Sequence, residues 1–328
     1  MFDIPIAVFL FRRKNTLAAI FERISAIKPN KLYLIADCGR NEKEMEESNA
    51  VRALAESLIT WDCEVVKYYA PQNRGVYENI GLGAKWVFER EKCAIFIEDD
   101  NLPEESFFTY AAELLNKYEN DPQIGWICGT NYYSDIECEN SYFFTNQLLP
   151  CGWASWAQKY NKFYDGNLDL FALRHYRKLF LKTYSNKLFG HYQFQLIKNE
   201  YYRKKKHRKF ASWDYQMLWS IRINGLLGIA PKFNQITNIG VDNFSIHGGT
   251  NKSNILTDRF CEVPSKSLTF PLVCPAETSL SKVEDNKIAR IIMPSNKSMI
   301  KLIISSKLKH LIGADASVAW RNILHRGK

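Results

Sequence analysis

Residues 93–100, Cys93-Ala94-Ile95-Phe96-Ile97-Glu98-Asp99-Asp100, pass from an unbroken apolar stretch straight into three adjacent carboxylates. A strand with no polar alternation is covered on both faces, as strands of parallel sheets are. The spacing therefore predicts a buried strand over 93–98, with the acids in the turn where it emerges.

Working upstream, residues 4–11 (IPIAVFLF), 31–37 (KLYLIAD) and 64–69 (EVVKYY) read as three earlier strands. Helix-sized segments at 16–27, 42–59 and 77–90 separate them. Strand and helix in alternation indicate βαβ units, hence an α/β chain with a mostly parallel sheet and helices on both faces. Polar residues collect where these strands end: Arg12 and Arg13, then Asp37, then Asn73-Arg74-Gly75, then the acidic triplet. Ligands of open parallel sheets bind beyond the carboxyl ends of the strands.

Downstream the pattern becomes mixed. From residue 124 no single period holds, residues 142–144 suggest an aromatic strand after a loop over 134–141, and 167–210 look helical and increasingly basic, ending in Arg203-Lys204-Lys205-Lys206-His207-Arg208-Lys209. Residues 257–285 read as a linker or extended arm, and 296–324 as a basic amphipathic helix. The expected divisions are a ligand-binding half over 1–130, a second half over 131–256, and a linker with C-terminal helices over 257–328.

The chain has 328 residues, 46% of them hydrophobic and 24% charged, enough to bury a large core. Its net charge of +9 suggests an anionic partner: nucleic acid, an anionic membrane surface or a phosphorylated substrate. No nucleic-acid-binding module is recognisable, so nucleic acid is not the expected partner. Eight cysteines are scattered with no CxxC pair, which reads as reduced thiols rather than a disulfide framework or zinc site. The start has no signal-like pattern and no run of about 18 apolar residues occurs. These features give the expectation of a cytoplasmic protein, peripheral on the inner face of the plasma membrane if its tail binds lipid.

Adjacent carboxylates repel one another and need a cation or a hydrogen-bonded loop, and for a cation hard oxygen ligands suit Mg²⁺ or Mn²⁺. A solvated acidic loop, or the start of the helix that Pro103-Glu104-Glu105 announces, is the alternative reading. The run Ile95–Asp100 followed by Leu102-Pro103 and Phe107-Phe108 resembles the acidic metal motif of GT-A glycosyltransferases. It is closest to the inverting kind that includes N-acetylglucosaminyltransferase I and bacterial polysaccharide transferases. The opening strand, Asn73-Arg74-Gly75-Val76 and Asn79 are similar to the donor-binding half of these enzymes. Cys151-Gly152-Trp153-Ala154-Ser155-Trp156, Trp213-Asp214 and residues 238–247 are similar to their acceptor-side and closing motifs.

The resemblance implies a Rossmann-like GT-A fold and an inverting, metal-dependent transfer from a nucleotide-sugar, in the first instance a UDP-sugar. The acceptor it implies is a glycan, one carried on a polyprenyl diphosphate in bacterial surface polysaccharide synthesis. It makes Asp100 the metal ligand, joined by His247, with Glu98 and Asp99 supporting the loop or touching ribose. Asp37, Arg12 and Arg74 would line the base, ribose and diphosphate. Asp214 would be the base that deprotonates the acceptor, and Trp153 and Trp156 an apolar platform for an acceptor sugar. Other readings stay open: Asp37 as a loop cap, Arg12 as surface charge, Asp214 as a first-turn acid, the two tryptophans as core.

In the tail, Lys297, Lys301, Lys307, Lys309 and His310 interleave with Met299, Ile300, Ile303, Ile304, Leu308 and Leu311, a pattern suited to an anionic membrane surface. Packing on the protein is the other reading. A sugar nucleotidyltransferase would need a glycine-rich loop after the first strand, and Phe11-Arg12-Arg13-Lys14-Asn15 has none. A non-catalytic membrane-binding protein would leave the ordered acidic and basic strand ends unexplained.

Overall fold

A computed structural model describes residues 2–133, 136–241 and 260–324. The chain divides into two compact units, residues 1–163 with 226–292, and residues 164–225 with 293–328.

The first unit is built on an eight-stranded sheet in the order β3-β2-β1-β4-β8-β6-β9-β7. The strands are β1 (Ile6–Leu10), β2 (Lys31–Ala36), β3 (Glu64–Tyr69), β4 (Cys93–Glu98), β6 (Ile124–Cys128), β7 (Tyr142–Thr145), β8 (Trp153–Trp156) and β9 (Leu227–Pro231). Pairings β1–β2, β2–β3, β1–β4 and β6–β9 are parallel, and β8 and β7 run antiparallel to their neighbours. The predicted mostly parallel α/β architecture, Rossmann-like, is the one observed.

Alternation along the strands explains the layers. Ile6, Val8 and Leu10 join Leu32, Leu34, Ile95 and Ile97 in a core completed by α1 (Leu17–Ile27), α2 (Glu42–Ser57) and α4 (Glu105–Lys117). On the opposite face Phe9 and Ile35 meet α3 (Leu82–Phe88), whose Gly83 comes so near that a Cβ there would lie 3.1 Å from Phe9. Phe96 and Trp153 stack on that side with ring centroids 4.0 Å apart, near Tyr160 of α5 (Ala157–Phe163).

The expected halves over 1–130 and 131–256 share one sheet, because β8 lies between β4 and β6. Residues 257–328, expected as one stretch, fall in both units. Helix α9 (Lys282–Ile292) belongs to the first unit, where Asp285 takes hydrogen bonds from Thr145 (2.7 Å), Asn146 N–H (2.7 Å) and Gln147 (3.1 Å).

The second unit is helical: α6 (Arg174–Lys182), α7 (Lys187–His207), α8 (Asp214–Ile223), α10 (Asn296–Leu311) and α11 (Trp320–Leu324). Its centre is aromatic, with the Trp219 ring centroid 5.2 Å from that of Phe171 and 5.4 Å from that of Phe180. The single tail helix expected over 296–324 is two helices, broken near Gly313 (φ +68°). No helix of the described residues is long and apolar enough to cross a membrane.

Candidate functional site

In the first unit the chain runs β1 to β2 to β3 toward one edge, then returns to place β4 on the other side of β1. That reversal makes the carboxyl ends of β1 and β4 a topological switch point, where the sheet opens a crevice for ligands. Phe11–Arg13 leave one of these ends and Glu98–Asp100 the other, since Phe9 is in register with Glu98.

The two loops are locked together by charge. The Asp99 carboxylate accepts from Phe11 N–H (2.9 Å) and from the Arg13 guanidinium (3.1 Å), and the Thr16 hydroxyl donates to the Asp99 carbonyl. The same guanidinium nitrogen stands 3.0 Å from Asp100 Oδ2. Asn101 donates to Asp100 Oδ1 (2.7 Å) and accepts from Gly152 N–H (2.9 Å). Asp99 is buried, and burial raises its pKa more than Arg13 lowers it, with the Asp100 charge raising it further.

From the other side β10 (Ile236–Asn238) pairs antiparallel with β5 (Asn101–Pro103). This ribbon brings Ile239 N–H onto the Asp100 carbonyl (2.8 Å) and Gly240 against its carboxylate. A Cβ at 240 would fall 2.5 Å from Asp100 Oδ2, so only glycine fits there without displacing the acid.

At the end of β2, Asp37 is almost fully buried and its carboxylate accepts four hydrogen bonds. Cys38 N–H and Arg74 N–H reach Oδ1 at 2.8 Å each, and Gly75 N–H (2.8 Å) and the Asn73 amide (3.0 Å) reach Oδ2. Four donors fill what two oxygens accept. Asp37 therefore shapes the loop after β3 and has no acceptor position left for a base or ribose, which corrects the contact expected of it. Arg74, which that loop carries, lays its guanidinium 4.3 Å from the centroid of Tyr68, with Nε and Nη2 buried and unpartnered among the described residues. Arg12 turns toward α2, 2.7 Å from Glu44 and 3.3 Å from Glu47. Glu98 is half-buried at the tip of β4.

The platform expected of Trp153 and Trp156 is corrected. Trp153 is sandwiched between Phe96 and Trp126 (centroids 4.0 and 4.2 Å), and Trp156 donates its indole N–H to the Leu115 carbonyl (2.8 Å). Both are core side chains with no face for a sugar. Asp214 begins α8 in the second unit and accepts from the Ser212 hydroxyl; Trp213 before it is buried. His247 lies outside the described residues.

The expected divalent ion meets a different arrangement. Arg13 stands on both carboxylates where the ion would be, and no three His, Cys, Asp or Glu side chains of the described residues form a metal-binding group. Cys151 is close to Asp100, and burial first, then the Asp100 and Glu98 charges, hold its thiol well above the ordinary range. Among the described residues, Asp99 and Asp100 are held together by the Arg13 guanidinium. Arg13, Asn101 and Gly240 are the parts of the site that reading for acids alone passes over.

No protein-family model matches the chain, and no curated protein matches it. Among solved structures it is similar to a mannosyltransferase, PcManGT from Pyrobaculum calidifontis, in complex with GDP-Man and Mn²⁺. The identity is 12% over 67% of this chain and 68% of that one, with a TM-score of 0.36. It is also similar to a UDP-glucose pyrophosphorylase complexed with UDP-glucose (10% identity, 72% and 94% covered, TM-score 0.37). A third likeness is to a 4-diphosphocytidyl-2C-methyl-D-erythritol synthase from Anaerococcus prevotii (9%, 51% and 78%, TM-score 0.33). At these scores the likenesses assign no residue a role.

Proposed function

We propose that this chain is a glycosyltransferase that draws on a nucleotide-sugar, with the nucleotide held at the switch point between β1 and β4. The observation that carries the reading is the locking of those two strand ends by Arg13, Asp99 and Asp100, beside the amide-lined loop that Asp37 shapes after β3. Guanidinium groups gathered at the carboxyl end of a parallel sheet suit a diphosphate.

The proposed donor is a UDP-sugar, and the proposed acceptor a glycan on a polyprenyl diphosphate, met at the inner face of a bacterial plasma membrane during surface polysaccharide synthesis. The acceptor hydroxyl attacks the anomeric carbon as the bond to the diphosphate oxygen breaks, which inverts the configuration. Asp214, fixed at the first turn of α8 by Ser212, takes the hydroxyl proton.

The test is calorimetry and thermal shift with UDP-, GDP-, CMP- and dTDP-sugars, run with Mn²⁺, with Mg²⁺ and with EDTA. The three conditions are needed because Arg13 holds the place expected of the ion. Binding of at least one donor is expected, and no binding under any condition overturns the proposal. Asp214→Asn should keep that binding and lose about 10²-fold or more in transfer; an active variant removes Asp214 from the role of base.

A further inference from the structure

The two units differ sharply in charge. Residues 164–225 and 293–328 hold twenty lysines and arginines against five acids, a net charge of +15, so the rest of the chain carries −6 of the total of +9. Lysines also lie along α10, which has no acidic residue.

Helix α10 packs one face on its own unit. Met299, Ser306 and Lys309 are buried, Asn199 of α7 donates to Ser306 (3.1 Å), and His310 meets Tyr202 at 4.7 Å. Lys309 donates to the Ala316 carbonyl and Trp320 of α11 to Ser305. This fixes how the helix is rotated. Positions 300, 304, 308 and 311 follow the helical repeat on the opposite side, and their side chains are 46%, 53%, 47% and 82% exposed. Exposed lysines 297, 301 and 307 border that stripe, and the exposed run Lys205–Lys209 ends α7.

We propose that this outer face of α10 is a docking surface for an anionic lipid bilayer, with Ile300, Ile304, Leu308 and Leu311 entering the headgroup layer and the bordering lysines meeting lipid phosphates. Four large apolar side chains in water are a liability unless something apolar covers them. A second copy of the chain brings the same +15 to the contact and is repelled. Nucleic acid matches the charge but leaves the isoleucines and leucines wet. An anionic bilayer answers both at once. The inference does not depend on the nucleotide-sugar reading.

The experiment is sedimentation of the full chain with vesicles of phosphatidylcholine alone, or with about a third phosphatidylglycerol. Binding to the anionic vesicles should exceed binding to the neutral ones by about tenfold or more and weaken with salt. The double substitution Ile304→Glu with Leu308→Glu, on outward side chains, should abolish it. Lys297→Glu with Lys301→Glu and Lys307→Glu should reduce it by about tenfold, and circular dichroism should show unchanged melting for both variants. Failure of the wild-type chain to bind anionic vesicles, or binding untouched by either variant, overturns the proposal. So does light scattering that shows a dimer dissolved by the Ile304 and Leu308 changes without vesicle binding. Nucleotide-sugar binding measured on the same variants should not change, so loss of lipid binding alone leaves the donor site standing.

Discussion

Two acidic strand ends lie on either side of β1 and are neutralised in opposite ways. Asp37, at the end of β2, is surrounded by neutral donors: three backbone N–H groups and one amide side chain. Asp99 and Asp100, at the end of β4, share a single guanidinium. Dipoles fixed by the backbone cannot leave, so Asp37 is part of the architecture. A guanidinium sits on a flexible stem and can move when a diphosphate or a cation arrives. The difference separates a carboxylate that builds the site from carboxylates that can take part in it.

The strongest challenge to this contrast is Asp37→Ala, which strands four donors in a buried loop. It should cost about 3–5 kcal/mol of unfolding free energy, read from the urea midpoint. A variant as stable as the parent that has lost only nucleotide binding would make Asp37 a ligand contact and erase the distinction. Arg13→Gln should cost about 2–4 kcal/mol, because it leaves two partly buried carboxylates against each other. Adding Asp99→Asn to it should recover part of that loss, and strict additivity of the two changes would show that the pair is not coupled.

The smallest effect is in pH. The folded state holds the Asp99 proton more tightly than the unfolded chain does, with a pKa raised from 3.8 to about 6. Its contribution to stability is therefore fullest below the ordinary carboxylate range and is lost as pH rises through about 6. The stability difference between wild type and Asp99→Asn should fall across that window. A difference that rises with pH instead would mean that Arg13 outweighs burial.

The first four strands were legible because each is an apolar run closed by a polar tip. The expected strands at 64–69 and 93–98 coincide with β3 and β4, and the other two are trimmed by a residue or two at their ends. Of the later sheet only the strand expected at 142–144, observed as β7 (Tyr142–Thr145), was legible. Order within a sheet is a matter of long-range pairing, and nothing local in Trp153–Trp156 says that it will slot between β4 and β6. The same limit governed the site. Adjacent arginines 12 and 13 look alike in sequence, yet one turns to α2 and the other to the acids. The tryptophans invited a ligand role because aromatic rings serve cores and sugar platforms equally well, and only burial tells the two apart. For α10 the sequence showed two faces, and the packed residues identified which of them is left open.

The second unit is assembled from two stretches of chain, with more than sixty residues of the first unit between them. Asn199 and Ser306, which join α7 to α10, are 107 positions apart. During synthesis α7 is therefore made long before its partner helix exists, and its inner face must wait for residues beyond 293. The basic surface takes its final form only after the strands β6 to β9 have been made. A ribosome stalled between β9 and α10 would hold a nascent chain whose eight sheet strands were all made but whose helical unit was incomplete, a natural substrate for chaperones that shield exposed aromatic surfaces.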